Sequence, residues 1–166
     1  AAMVAKHGVI GAEGMFEGPR GFGYAMSRDV DWDSAVADLE SDYTITRMTQ
    51  KNHTCCGHTF AAIDSMIALA SEHQLSAENV ASIHIGTYAK GVEICGNRNP
   101  QTVYEAKFSL PYAVAAGLVL GRARFAAFTE EKLNDPDIRS VMSRIEFETD
   151  PDAEAKFPNF RSAIVT

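Results

Sequence analysis

The densest group of side chains able to do chemistry is Lys51-Asn52-His53-Thr54-Cys55-Cys56-Gly57-His58-Thr59. It offers a cation for an anionic ligand, two imidazoles that exchange protons near neutrality, and two thiols. The group sits where a strand-like stretch hands over to an amphipathic helix starting near Gly57. A helix start carries unpaired N–H groups and a partial positive charge, so anions settle there. Lys51 and two histidines at such a junction make a plausible carboxylate-binding corner. A solvated lysine, packing cysteines and capping residues would account for the same letters.

His53, Cys55, Cys56 and His58 are also residue types that bind zinc. Their spacing argues against a metal site, because adjacent cysteines point apart in an extended chain and no second ligand cluster follows. Cys56, beside the helix start, could act as a nucleophile or acid, or could simply pack. Tyr112 opens an otherwise apolar helix. Its hydroxyl could donate a proton at a pocket or tie a core tyrosine to a neighbouring partner.

The elements that position these groups follow from local pattern. Phe60, Ile63, Ile67 and Ala70, with Met66 beside them, form one stripe of a helix. Ser76–Asn79 reads as a turn and Ile83–Thr87 as an alternating strand. Gly96-Asn97-Arg98-Asn99-Pro100 is a loop. Ser109 is placed to cap a buried helix with Pro111 in its first turn. Asp135-Pro136 starts another helix, and Ile145–Thr149 alternates as a strand that Asp150-Pro151-Asp152 ends. Tyr43–Met48, rich in β-branched residues, is expected to be a strand, and Asp29–Asp42 to hold a short surface helix. Six of the twelve glycines lie between Gly8 and Gly23. That density suits a close-packed connection. A phosphate cradle is excluded, since no G-K-[ST] ending or third dinucleotide-type glycine is present. Strands separated by helices in mixed order predict an α+β fold, an α/β sandwich with a small mixed sheet backed by helices.

The 166 residues suffice for one domain with a core. A net charge of −7 argues against nucleic acid, though not against a small anion held by local cations. No apolar run suits a membrane span. Three cysteines, two of them adjacent, make a disulfide framework unexpected and a cytoplasmic location the default. Both ends fall inside apparent elements, Ala1–Lys6 in a helix and Ala163–Thr166 in a strand, so a fragment is expected.

Three stretches, in order, resemble the MmgE/PrpD family, which includes 2-methylcitrate dehydratase, cis-aconitate decarboxylase and iminodisuccinate epimerase. They are Gly14-Met15-Phe16-Glu17-Gly18-Pro19-Arg20-Gly21-Phe22, the segment Lys51–Asp64, and Glu105–Ala116 with its Ser109-Leu110-Pro111-Tyr112 core. The resemblance implies a large helical domain and a smaller α/β domain with a cleft between them, homodimers, and no metal or other cofactor. Residues 1–42 would be the end of the helical domain and a glycine-rich connection, and 43–166 the small domain, truncated at its C-terminus. It implies a lyase or isomerase acting on a small di- or tricarboxylate by proton abstraction α to a carboxylate. Lys51 and His58 would bind substrate, and Cys56 and Tyr112 would be catalytic. The chain departs from the family where Tyr-Pro often follows the lysine and His53-Thr54 stand here. Phe60 replaces a frequent histidine, and Cys56 replaces the catalytic histidine of some members. An epimerase-type proton transfer therefore stays open, as does a catalytically silent domain.

Overall fold

Ala1–Thr49 and Gln50–Thr166 are two units in the computed structural model, which describes residues 1–166. The first unit has only short helices, α1 (Ala2–Lys6), α2 (Phe22–Met26) and α3 (Trp32–Val36). Asp31 caps α3: its carboxylate accepts from the Ser34 hydroxyl at 2.6 Å and the Ser34 N–H at 3.0 Å. Those bonds hold the Asp31 carboxyl below its ordinary range. Only Gly21 and Gly23 are buried in this unit. Gly23 packs against the Trp32 ring so closely that a Cβ would collide with it.

The strand expected at Tyr43–Met48 does not form. Thr44–Arg47 is a 3₁₀ turn, closed by the Thr46 N–H at 2.9 Å and the Thr46 hydroxyl at 2.8 Å on the Tyr43 carbonyl. β-branched residues favour a strand only where a neighbouring strand is available to pair and pack. Here the backbone satisfies itself locally.

The second unit carries α4 (Phe60–His73), β1 (Ile83–Thr87), α5 (Ala89–Cys95), α6 (Val103–Ala106), α7 (Leu110–Leu120), α8 (Glu130–Leu133), α9 (Pro136–Met142), β2 (Ile145–Thr149), α10 (Pro151–Lys156) and β3 (Ala163–Val165). The sheet order is β2-β1-β3. β1 runs parallel to β2, with Ile83 opposite Ile145, and antiparallel to β3, with Ile85 opposite Val165. Ile83, Ile85 and Ile145 face inward, while His84, Glu146 and Glu148 face water. That is the alternation of a sheet covered on one face. The fold is α+β, a small mixed sheet backed by helices.

α4 and α7 pack on each other, and α7 packs on α9. α7 is buried from Leu110 to Leu118, which explains why its sequence is apolar all round. Ser109 caps it, accepting from the Tyr112 N–H at 3.2 Å, and donates to the Asn97 carbonyl at 2.6 Å. At the α4–α7 seam a Cβ on Gly117 would lie 3.2 Å from Ile63 Cγ2, so glycine lets the helices approach. Asp135 caps α9 through the Asp137 and Ile138 N–H groups at 3.1 and 3.3 Å. No helix is long and apolar enough to cross a membrane.

Candidate functional site

Ahead of α4, residues 51–56 bend between two supports. The Thr54 N–H donates to the Ala123 carbonyl at 3.0 Å, and the Cys56 N–H to the Lys107 carbonyl at 2.8 Å. The segment is thereby tied on one side to the loop after α7 and on the other to the end of α6. Both attachments bring cations with them. A cleft of about 550 Å³ is lined by Gln50, Lys51, Asn52, Thr54, Arg124 and Phe125. A second, of about 390 Å³, shares Lys51, Thr54 and Phe125 with it and adds His53, Cys55, Cys56, Lys107 and Phe108. Lys51, Lys107 and Arg124 therefore surround two adjoining openings in a chain whose net charge is −7.

The cations are only partly committed. Lys51 Nζ donates to the Cys55 carbonyl at 3.3 Å, a long bond that leaves donors for a ligand. Arg124 donates to the Asn52 side-chain oxygen at 2.8 Å, which fixes the guanidinium against this segment. Such donors on a partly apolar wall suit carboxylates, because the phenyl rings of Phe108 and Phe125 reduce competition from water.

The two adjacent thiols differ sharply. Cys55 points inward and is 4% exposed. The Thr59 hydroxyl donates to the Cys56 carbonyl at 2.8 Å, so the Cys55 thiol is the donor in its 3.2 Å contact with Thr59 Oγ1. Burial pushes the Cys55 thiol up to about 11. Cys56 is half-buried on the second cleft. Behind it lies Cys95, fully buried, whose thiol is pushed up first by burial and then by the neighbouring Cys56.

Lys51 and Cys56 are thus brought together on one cleft. The other two expected site residues stand elsewhere. His58 lines neither cleft. Its Nδ1 is 2.6 Å from the hydroxyl of Tyr88, which stacks on Phe157 with ring centroids 4.5 Å apart. Burial, then the charges of Arg161 and Lys90, lower the His58 pKa, whereas burial raises Tyr88 to about 12. The tyrosine is therefore the donor and neutral His58 the acceptor. Tyr112 lies in the core and is 0% exposed. Its hydroxyl donates to the Ala127 carbonyl at 2.7 Å, and burial raises it to about 12. That bond ends the 3₁₀ turn Phe125–Ala127, which presents Phe125 to both clefts.

The four side chains weighed as metal ligands have separate partners: His53 pairs with Asp64, Cys55 with Thr59 and His58 with Tyr88, while Cys56 faces the cleft. Sequence reasoning singled out neither Arg124 nor Lys107 as a site residue, although Lys107 lies within the Glu105–Ala116 stretch. The trace of Arg124 was the pair Arg122 and Arg124 just past Gly121, which ends α7 with a positive φ. His53 was read as part of a carboxylate-binding corner, as a possible metal ligand and as a departure from a pattern, without a role of its own.

A search among curated proteins finds no match to this chain. The family model of the MmgE/PrpD C-terminal domain matches residues 53–166, which include Cys56, His58, Tyr112 and all the strands and longer helices described above, and the chain belongs to that family.

Proposed function

We propose that the paired clefts bind the carboxylates of a small di- or tricarboxylate, and that the chain supplies this half-site to a lyase or isomerase of the 2-methylcitrate dehydratase type. The observation that carries the reading is the convergence of Lys51, Lys107 and Arg124 on adjoining clefts of an acidic protein. Removing a proton α to a carboxylate moves charge onto its oxygens. Fixed cations already aimed at those oxygens stabilise that charge without reorganising, an effect worth several kcal/mol. Loss of water or of CO₂ then completes a lyase reaction. Return of the proton to the opposite face would make an epimerase, and the Cys56 thiol on the cleft favours keeping that second reading. Tyr112 contributes by holding the turn that carries Phe125, so we assign it a positioning role. His58 stays neutral beside Tyr88 and supports the Cys56 end of the segment. Family resemblance also makes a homodimer the proposed working form, which light scattering on the purified protein checks.

The test is calorimetric titration with citrate. Wild-type protein is expected to bind, and Lys51→Ala to weaken binding by about tenfold or more, the effect of losing one charge-assisted hydrogen bond. Equal affinities for the two proteins, or no binding by wild type, would overturn the reading.

A further inference from the structure

The wall of the second cleft holds one group that the carboxylate reading leaves unused. His53 lines that cleft while being only 3% exposed. Its Nε2 is 2.9 Å from Asp64 Oδ1, on the first turns of α4, and Phe60 packs edge-on against its ring with centroids 5.1 Å apart. These two contacts fix the plane of the imidazole. We take Nε2–H as the donor to the carboxylate, which leaves Nδ1 as the acceptor. Nδ1 is buried and has no hydrogen-bond partner. A buried polar atom without a partner is unfavourable and calls for a functional or solvent explanation.

We infer that His53 is a specificity-determining residue that accepts a hydrogen bond from a hydroxyl group on the bound polycarboxylate, with Asp64 as its positioning residue. This rests on the carboxylate reading of the cleft. The complement of a neutral acceptor is a donor, which on a small acid is a hydroxyl or an ammonium group. Lys51, Lys107 and Arg124 share the two clefts and disfavour a further positive charge, which leaves the hydroxyl. Nδ1 is closed to bulk water in the ligand-free protein, so the hydroxyl reaches it with a rotamer change on the cleft wall, the scale of motion common on binding. The gain comes from pairing an atom that is otherwise buried alone. A ligand with the same carboxylates and no hydroxyl leaves it unpaired, and discrimination of this kind is stronger than that from shape.

Citrate and tricarballylate make the comparison direct, since they share a carbon skeleton and three carboxylates and differ by one hydroxyl. The wild-type chain is expected to bind citrate about tenfold more tightly. His53→Phe should bring citrate down to the tricarballylate affinity and leave tricarballylate unchanged, which also shows that the variant folds. Asp64→Ala frees the imidazole from its anchor and should reduce the citrate preference while leaving tricarballylate binding unchanged, and nitrogen-detected NMR of the histidine should show the loss of the Nε2–H bond. Lys51→Ala should weaken both ligands equally. Equal wild-type affinity for the two acids, or equal weakening of both by His53→Phe, overturns the hydroxyl role while the carboxylate reading stands. Failure of both acids to bind overturns the carboxylate reading itself.

Discussion

His58 shows how a single ring can report its surroundings. Its folded pKa lies below the ordinary value of 6.5, from burial first and then from Arg161 and Lys90. The unfolded chain therefore takes up a proton more readily than the folded one. Stability from this group is complete above about pH 6.5 and is lost as the pH falls through the histidine range toward the lowered folded value. Thermal melts at pH 7.5 and 5.5 should show a loss on acidification that is smaller in His58→Gln. An unchanged loss would mean that other groups carry it. Tyr112 gives a second expectation at this scale. Tyr112→Phe removes the donor from the buried Ala127 carbonyl and should cost about 1–3 kcal/mol, read by chemical denaturation. If its part in binding is only to hold the Phe125 turn, citrate binding should weaken through the same loosening, and not through proton transfer.

At the scale of elements, the helices that could be anticipated are those whose caps and apolar stripes agree. α7 began at Ser109 and α9 at Asp135 because a side-chain acceptor, a proline in the first turn and an apolar run coincide in both. β1 and β2 were legible from alternation alone. Tyr43–Met48 misled because strand formation depends on a partner that local sequence does not encode. Asp150 was read as the stop of a strand, which it is, but it is also the cap of α10, accepting from the Ala153 N–H at 2.8 Å. The site divides the same way. Lys51 and Cys56 were visible because they are neighbours in sequence, whereas Lys107 and Arg124 arrive through backbone bonds from distant segments. The α4–α7 seam is the natural place to measure packing. Ile63 is 0% exposed and faces Gly117, so Ile63→Ala should lower stability by about 2–5 kcal/mol. A cost below that range would mean that the seam collapses around the missing atoms.

At the scale of the molecule, the two units differ in what holds them. Gln50–Thr166 contains the apolar core, and Ala1–Thr49 buries only Gly21 and Gly23 while Ile10, Phe16, Met26 and Ile45 stay exposed. Segments with few buried contacts open at little free-energy cost. Limited proteolysis should therefore cut within residues 1–49 well before it cuts the remainder, leaving a stable product that begins near Gln50. Equal resistance of both parts would show that the first unit is held by contacts beyond its own burial. Placing Lys51, Lys107 and Arg124 around adjoining clefts of an acidic chain has a further expected outcome. Citrate binding should weaken as salt is raised, because exposed charge attraction is screened over about 10 Å at 0.1 M ionic strength.

The central strand waits for both its neighbours. β1 is complete at Thr87, yet β2 starts at Ile145 and β3 at Ala163. On a ribosome, a nascent chain would expose β1 with two open edges while all of α5 to α9 is being made, and with one open edge until β3 emerges. Such edges recruit strands from other chains. The early partnership of α4 with α7 would then act as the chain's own holding device, keeping Ile63 and Met66 covered until the sheet closes. Weakening that helical pair should therefore lower the soluble yield during synthesis by more than the stability of the finished protein alone would suggest.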